Sequence, residues 1–239
     1  MLKPLRNEQQ SNNFIGFAPI YAYDRPLSRG ASEFNDVTTL SAVRTAQENG
    51  NQYRELMYSE MELKNIEQLF EQHNRSSRLF LHANASTDNF VQHAPKYKYV
   101  HIAAHGIINK QQPKLSGILL SPSNKTEKEG MLYMDETYHL ELSADLLVLS
   151  CCETGLGQLI PGEGMMAINR GFLYAGAKNI IFTLFKVYDR ESCLLTQYLF
   201  EEILNNQTYA NALSAAKRKL LVQHGVTPKS WAGFVLLGA

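Results

Sequence analysis

Blocks of apolar and polar residues succeed one another along this chain, and their periods predict strands and helices in alternation. Residues 14–20 form a short apolar run that reads as a first strand. Residues 21–52 are polar, broken by Pro26, Gly30 and Gly50, and read as one long connection carrying a short helix around residues 40–44. Connections of that length inside compact domains are commonly functional. Ser59 and Glu62 have the spacing of a capping box, and Leu63, Ile66, Leu69 and Phe70 continue the apolar face of a helix. Residues 79–81 predict a second strand, 87–93 a short helix, and 97–104 a third strand that ends in His105-Gly106. Residues 117–120 and 131–134 flank the polar loop 121–130 and predict an inserted β-hairpin. Residues 146–151 give a fourth strand, 165–174 a helix and 180–185 a fifth strand; helices over 191–204 and 209–223 and a last strand over 234–237 complete the series.

Near-continuous apolar strands separated by helices specify a mostly parallel central sheet, about six strands wide, with helices on both faces. No repeat, low-complexity tract or dividing linker interrupts the pattern, so residues 1–239 read as a single domain with a disordered tail over 1–12. In such sheets reactive groups gather at the carboxyl ends of the strands. His105 and Cys152 both lie at such ends.

That placement sets the candidate chemistry. A free thiol has a pKa of about 8.5 and is mostly protonated near pH 7. A neighbouring imidazole stabilises the thiolate and can later protonate a leaving amine. Gly106 leaves a backbone N–H unobstructed for a developing oxyanion, and the N–H of Cys152 offers a second donor. Adjacent strand residues point to opposite faces, so one of Cys151 and Cys152 is a buried spacer and the other faces the site. Cys152, at the strand–loop junction, is the candidate nucleophile. His101, four positions before His105, reads as a hydrogen-bonded core histidine on the same side of the strand, and Cys193 as a buried helical thiol. Asp145 caps or pairs at the start of the fourth strand, and Trp231 and Phe234 read as core. The remaining histidines lack metal-ligand spacing, and neither metal nor cofactor is implied.

Composition narrows the partners. The 23 basic and 23 acidic residues cancel, which argues against electrostatic binding of nucleic acid or an anionic membrane. No apolar run approaches the roughly 20 residues of a membrane span, and the N-terminus has no signal-peptide pattern. The 3 cysteines make no disulfide framework, which suits a reducing cytoplasm.

The stretches His101-Ile102-Ala103-Ala104-His105-Gly106, Ala144 to Gly155, Gly162-Glu163-Gly164, Phe172-Leu173-Tyr174-Ala175-Gly176-Ala177 and Trp231-Ala232-Gly233-Phe234 together resemble a CHAT domain, a bacterial branch of the caspase–separase clan of cysteine peptidases. The resemblance implies a caspase-like three-layer α/β sandwich, His105 as general base, Cys152 as nucleophile and an oxyanion hole from the amides of Gly106 and Cys152. Cys151 stands where the family often has alanine, and Phe185 where it usually has tryptophan. The resemblance also places the loop after the nucleophile and the segment after the fifth strand around the pocket for the residue before the cut. These regions carry Glu153, Glu163 and Asp189, opposed by Lys186 and Arg190, and lean toward a basic residue there. Glu163 and Asp189 equally fit caps for the helices that follow them.

The function expected is a cytoplasmic cysteine endopeptidase acting on a specific protein substrate, controlled by a partner or a sensor module such as helical repeats. Residues 21–52 and 111–130 would supply groove walls, and Lys125 and Lys128 a self-cleavage site or merely a solvated loop. The alternatives are a catalytically silent interaction scaffold of the same fold and a cysteine amidase acting on a small substrate.

Overall fold

The apolar runs pair as the pattern requires. In a computed structural model that describes residues 13–19, 56–107, 109, 115–122, 130–150, 164–185 and 187–238, nine strands form two sheets. The strands are β1 (Phe14–Ala18), β2 (Ser77–Leu81), β3 (Tyr99–Ile102), β4 (His105–Ile107), β5 (Gly117–Leu119), β6 (Met131–Tyr133), β7 (Leu146–Leu149), β8 (Asn179–Thr183) and β9 (Phe234–Gly238). The central sheet runs β2-β1-β3-β7-β8-β9, parallel except for β9, which pairs antiparallel with β8. The helices are α1 (Ser59–Gln72), α2 (Thr87–His93), α3 (Met134–Thr137), α4 (Gly164–Tyr174), α5 (Asp189–Leu204) and α6 (Tyr209–His224).

Strand alternation divides the core in two. Phe17, Ile102, Leu149 and Phe182 point to one face, where Phe90 of α2 and Phe172 of α4 cover them. Phe14, Tyr99, Val148 and Ile181 point to the other, under Phe70 of α1, Phe200 of α5 and Leu220 of α6. Side chains of this size, fully buried, stabilise by about 1.5–3 kcal/mol each. Phe14 also stacks on Phe70 at 5.1 Å and meets Phe200 edge-on at 5.4 Å, which fixes α1 and α5 over the same strand. The expected sandwich, with about six strands and helices on both faces, is therefore the observed one.

Three expectations change in detail. The third strand stops at Ile102 instead of running to Ala104, and the chain restarts as β4 at His105. Ala103 N–H donates to Phe17 O at 2.9 Å, the last rung beside β1. Beyond it the backbone needs new partners, and β5 supplies them. The predicted hairpin is accordingly a three-stranded antiparallel sheet, β4-β5-β6, with His105 opposite Leu119 and Gly106 opposite Ile118. The capping box at Ser59 is absent. Tyr58 occupies the cap of α1 without a side-chain bond, and Ser59 Oγ donates instead to Leu56 O at 2.8 Å. The Glu62 carboxylate is engaged elsewhere, as described below.

The tail 1–12, the connection 21–52 with its short helix, Lys125 and Lys128 lie outside the described residues. Among the described residues no helix is long and apolar enough to cross a membrane, and no cluster of His, Cys, Asp and Glu is arranged to hold a metal ion.

Candidate active site

Parallel pairing brings the two carrier strands together at their carboxyl ends. Ile102 of β3 is in register with Leu149 of β7, and Ser150 N–H donates to Ile102 O at 2.9 Å. His105 and Cys152 each follow that rung by three positions. His105 opens β4 and is 1% exposed, with Gly106 buried beside it. The ladder to β5 holds the backbone of both residues at the end of the central sheet. Cys151, Cys152, Glu153 and Glu163 lie outside the described residues. The same-side relation of His101 and His105 does not follow from strand counting, because the strand breaks between them.

Toward α1 and α5 lies a buried polar cluster. His101 is fully buried, and its Nε2 lies 2.7 Å from Glu62 Oε1. Thr196 Oγ1 is 3.0 Å from the same oxygen, and Ser150 Oγ donates to Glu62 Oε2 at 3.4 Å. Glu62 is itself only 1% exposed. A carboxylate so buried costs several kcal/mol unless donors satisfy it, and here three surround it. Sequence reading missed this cluster because Glu62 had a local explanation, the capping box. The signal was available in the apolar face of α1, on which Glu62 directly precedes Leu63.

Asp189 begins α5, and its Oδ2 accepts Tyr58 N–H at 2.9 Å, so it serves the N-terminus of α1 rather than that of its own helix. Burial pushes its carboxyl up to about 6, opposed by the Tyr58 amide and reinforced by the charges of Glu62 and Glu191. An acid with a folded pKa above its unfolded value binds its proton more tightly when folded. Its contribution to stability is full below the unfolded value of 3.8 and is lost as pH rises through about 6. Asp189→Asn keeps an acceptor for Tyr58 and removes the ionisation. The variant should lose about 1 kcal/mol less stability than the parent between about pH 4 and about pH 7, allowing for solvent screening. Urea unfolding across that range checks it; parallel curves for the two proteins would refute it.

Cys193 is 2% exposed on α5. Burial, with the charges of Glu62 and Asp189, pushes its thiol up to about 12, so it stays protonated and inert. Asp145 pairs with Lys178 Nζ at 3.1 Å and accepts from the Tyr209 hydroxyl. Burial opposes its ionisation, but Tyr209 and Lys178 outweigh burial and lower its pKa. It sits at the start of β7, the end remote from Ser150. Phe185, in the tryptophan position, is 36% exposed, and its ring lies so close to Gly233 that a Cβ there would stand 3.1 Å from it. Phe234 is fully buried and Trp231 partly so, against the second core.

The model of the CHAT domain family matches residues 8–239. The chain belongs to the CHAT domain family. Among curated proteins, the chain is similar to tetratricopeptide repeat protein 28 of Mus musculus, 28% identical over 113 residues, and of Homo sapiens, 26% identical over 113 residues. Each match covers 47% of this chain, which spans only 5% and 4% of those proteins' lengths. Both are mammalian, so neither supports a bacterial source. Among solved structures, the Arg-specific cysteine proteinase gingipain R superposes with a TM-score of 0.59 at 9% identity, over 95% of this chain and 45% of that one. The Saccharomyces cerevisiae separase–securin complex gives 0.47 at 12% identity, over 96% of this chain and 12% of that one. The gingipain match shows that this CHAT domain has the caspase-like fold.

Proposed function

We propose that this CHAT domain is a cysteine endopeptidase in which His105 and Cys152 form the dyad. The observation that carries the reading is the Ile102–Leu149 rung, closed by Ser150 N–H on Ile102 O at 2.9 Å, because it brings the ends of both carrier strands side by side. His105 takes the thiol proton of Cys152, and the thiolate attacks the scissile carbonyl. The amides of Gly106 and Cys152 hold the oxyanion. The imidazolium then returns the proton to the leaving amine, and water deprotonated by His105 hydrolyses the thioester. The chemistry needs no cofactor.

A protein substrate cut after a basic residue is the proposed specificity, with Glu153, Glu163 and Asp189 as the candidate carboxylates. Of these, Asp189 already commits one oxygen to Tyr58. A regulatory partner built of helical repeats is proposed on the name of the curated relatives, and a cytoplasmic setting on thiol chemistry. Incubation with a diverse peptide library, read by mass spectrometry, tests the reading. Cleavage after arginine or lysine is expected. Cleavage dominated by aspartate would refute the basic preference, and cleavage unaffected by Cys152→Ala would refute the dyad.

A further inference from the structure

The Glu62 carboxylate bonds to three separate parts of the chain near the two strand ends. Its Oε1 meets His101 of β3 at 2.7 Å and Thr196 of α5 at 3.0 Å, while its Oε2 accepts from Ser150, the residue that follows β7, at 3.4 Å. Glu62 itself belongs to α1. Thus one carboxylate, buried where water cannot compete, joins two helices and the two strands that lead to His105 and Cys152. Without it, Ser150 is tied to β3 by its backbone N–H on Ile102 O. Ser150 follows the end of β7, whose pairing runs through Leu149 with β3 and through Val148 with β8, so at Ser150 itself this rung is the main backbone tie. The side-chain bond to Glu62 adds a second tie there, from the α1 side.

We infer that Glu62 is a positioning residue, whose carboxylate locks the carboxyl end of β7 against β3 and so orients the proposed dyad. The inference rests on the dyad reading. Ser150 lies two positions before Cys152, a chain reach of at most about 7 Å, so the Glu62 contact is made close to the proposed nucleophile along the chain. Misplacement of reacting groups by about 1 Å costs on the order of a hundredfold in rate.

Glu62→Gln preserves shape. The hydroxyls of Ser150 and Thr196 can reverse their bonds, and His101 can change tautomer, so the fold accommodates the amide while the lock loosens. The expected result is a fall in kcat of roughly tenfold or more with KM within about twofold. Alkylation of Cys152 by iodoacetamide near neutral pH, followed by mass spectrometry, should slow by a similar factor, with buried Cys193 as an unreactive internal reference. Ser150→Ala should reproduce both effects, and the double variant should be no slower than the slower single, because both act through one contact.

Three results would overturn the inference: rates within about twofold of the parent, additive losses in the double variant, or faster alkylation of Cys152. The last would mean that Glu62 acts only through its charge, since removing a nearby negative charge favours the thiolate. Ser150→Ala, which deletes one oxygen, keeps the test available if Glu62→Gln fails to fold. A parent protein that cleaves no peptide would sink the peptidase reading, while the alkylation ratios would still decide the role of Glu62.

Discussion

Replacing Cys152 with alanine is expected to lower kcat/KM for any cleaved peptide by on the order of 10⁴-fold or more, the scale seen when a nucleophile is removed from an acyl-transfer site. In the proposed mechanism the thiol forms the covalent intermediate. Its loss leaves only the oxyanion donors and substrate binding, which cannot supply an attacking group. Cys151→Ala should change the rate by no more than a few-fold, since the neighbouring thiol is assigned no chemical step. Steady-state kinetics on one good peptide separates the outcomes. Collapse in Cys151→Ala with activity retained in Cys152→Ala would move the nucleophile by one residue. Equal activity in the parent and both single variants would mean that the cleavage does not use a thiol at this position.

The largest effect on stability should come from Gly176→Ala. Gly176 terminates α4 with φ of +114°, in backbone space that side chains avoid. Its N–H donates to Leu173 O at 3.1 Å and that of Ala177 to Phe172 O at 3.0 Å, so the turn closes the helix and delivers the chain to β8. A Cβ at this position would stand 2.3 Å from Leu142 O, an atom of backbone that cannot swing aside. Leu142 N–H in turn donates to Ala175 O at 2.7 Å, which pins the two segments together. Strain and overpacking each cost about 1–3 kcal/mol, so a loss of about 3 kcal/mol or more is expected. Urea denaturation measures it. A loss under about 1 kcal/mol would mean that the turn relaxes and that the close approach is not obligatory.

Much of this was legible in the chain. The inner strands were legible as short continuous apolar runs because both their faces are covered, as Leu146 to Leu149 illustrate. The motif around Gly176 was legible as a family resemblance, and its reason is the positive φ. The break after Ile102 was not legible. Ala103 and Ala104 continue the apolar run, and nothing in them reveals that β5 will compete for the backbone from His105 onward. The role of Glu62 escaped for the opposite reason. A local pattern explained it well, while its actual partners stand 39, 88 and 134 positions away in sequence. Asp189 likewise reads as a cap, and it does meet a helix terminus, but the terminus is that of α1.

The histidine and the cysteine answer to different ladders. β7 is bonded within the central sheet, whereas His105 belongs to the small antiparallel sheet, which is moored to the turn after β2 by Ser121 N–H on Ala85 O at 2.8 Å and Ser121 Oγ on His82 O at 2.6 Å. Ala103 and Ala104 form the covalent link between the two sheets on the histidine side. The proposed base is thus mounted on a separate bracket, bolted at the far edge of the main frame. Substitutions at Ser121 or in the turn around His82 would act first on the small sheet that carries His105. Ile118, Leu120 and Leu132 of that sheet and Ala85 of the turn also pack in the first core, so the alignment of the pair is tied to the packing at that remote edge.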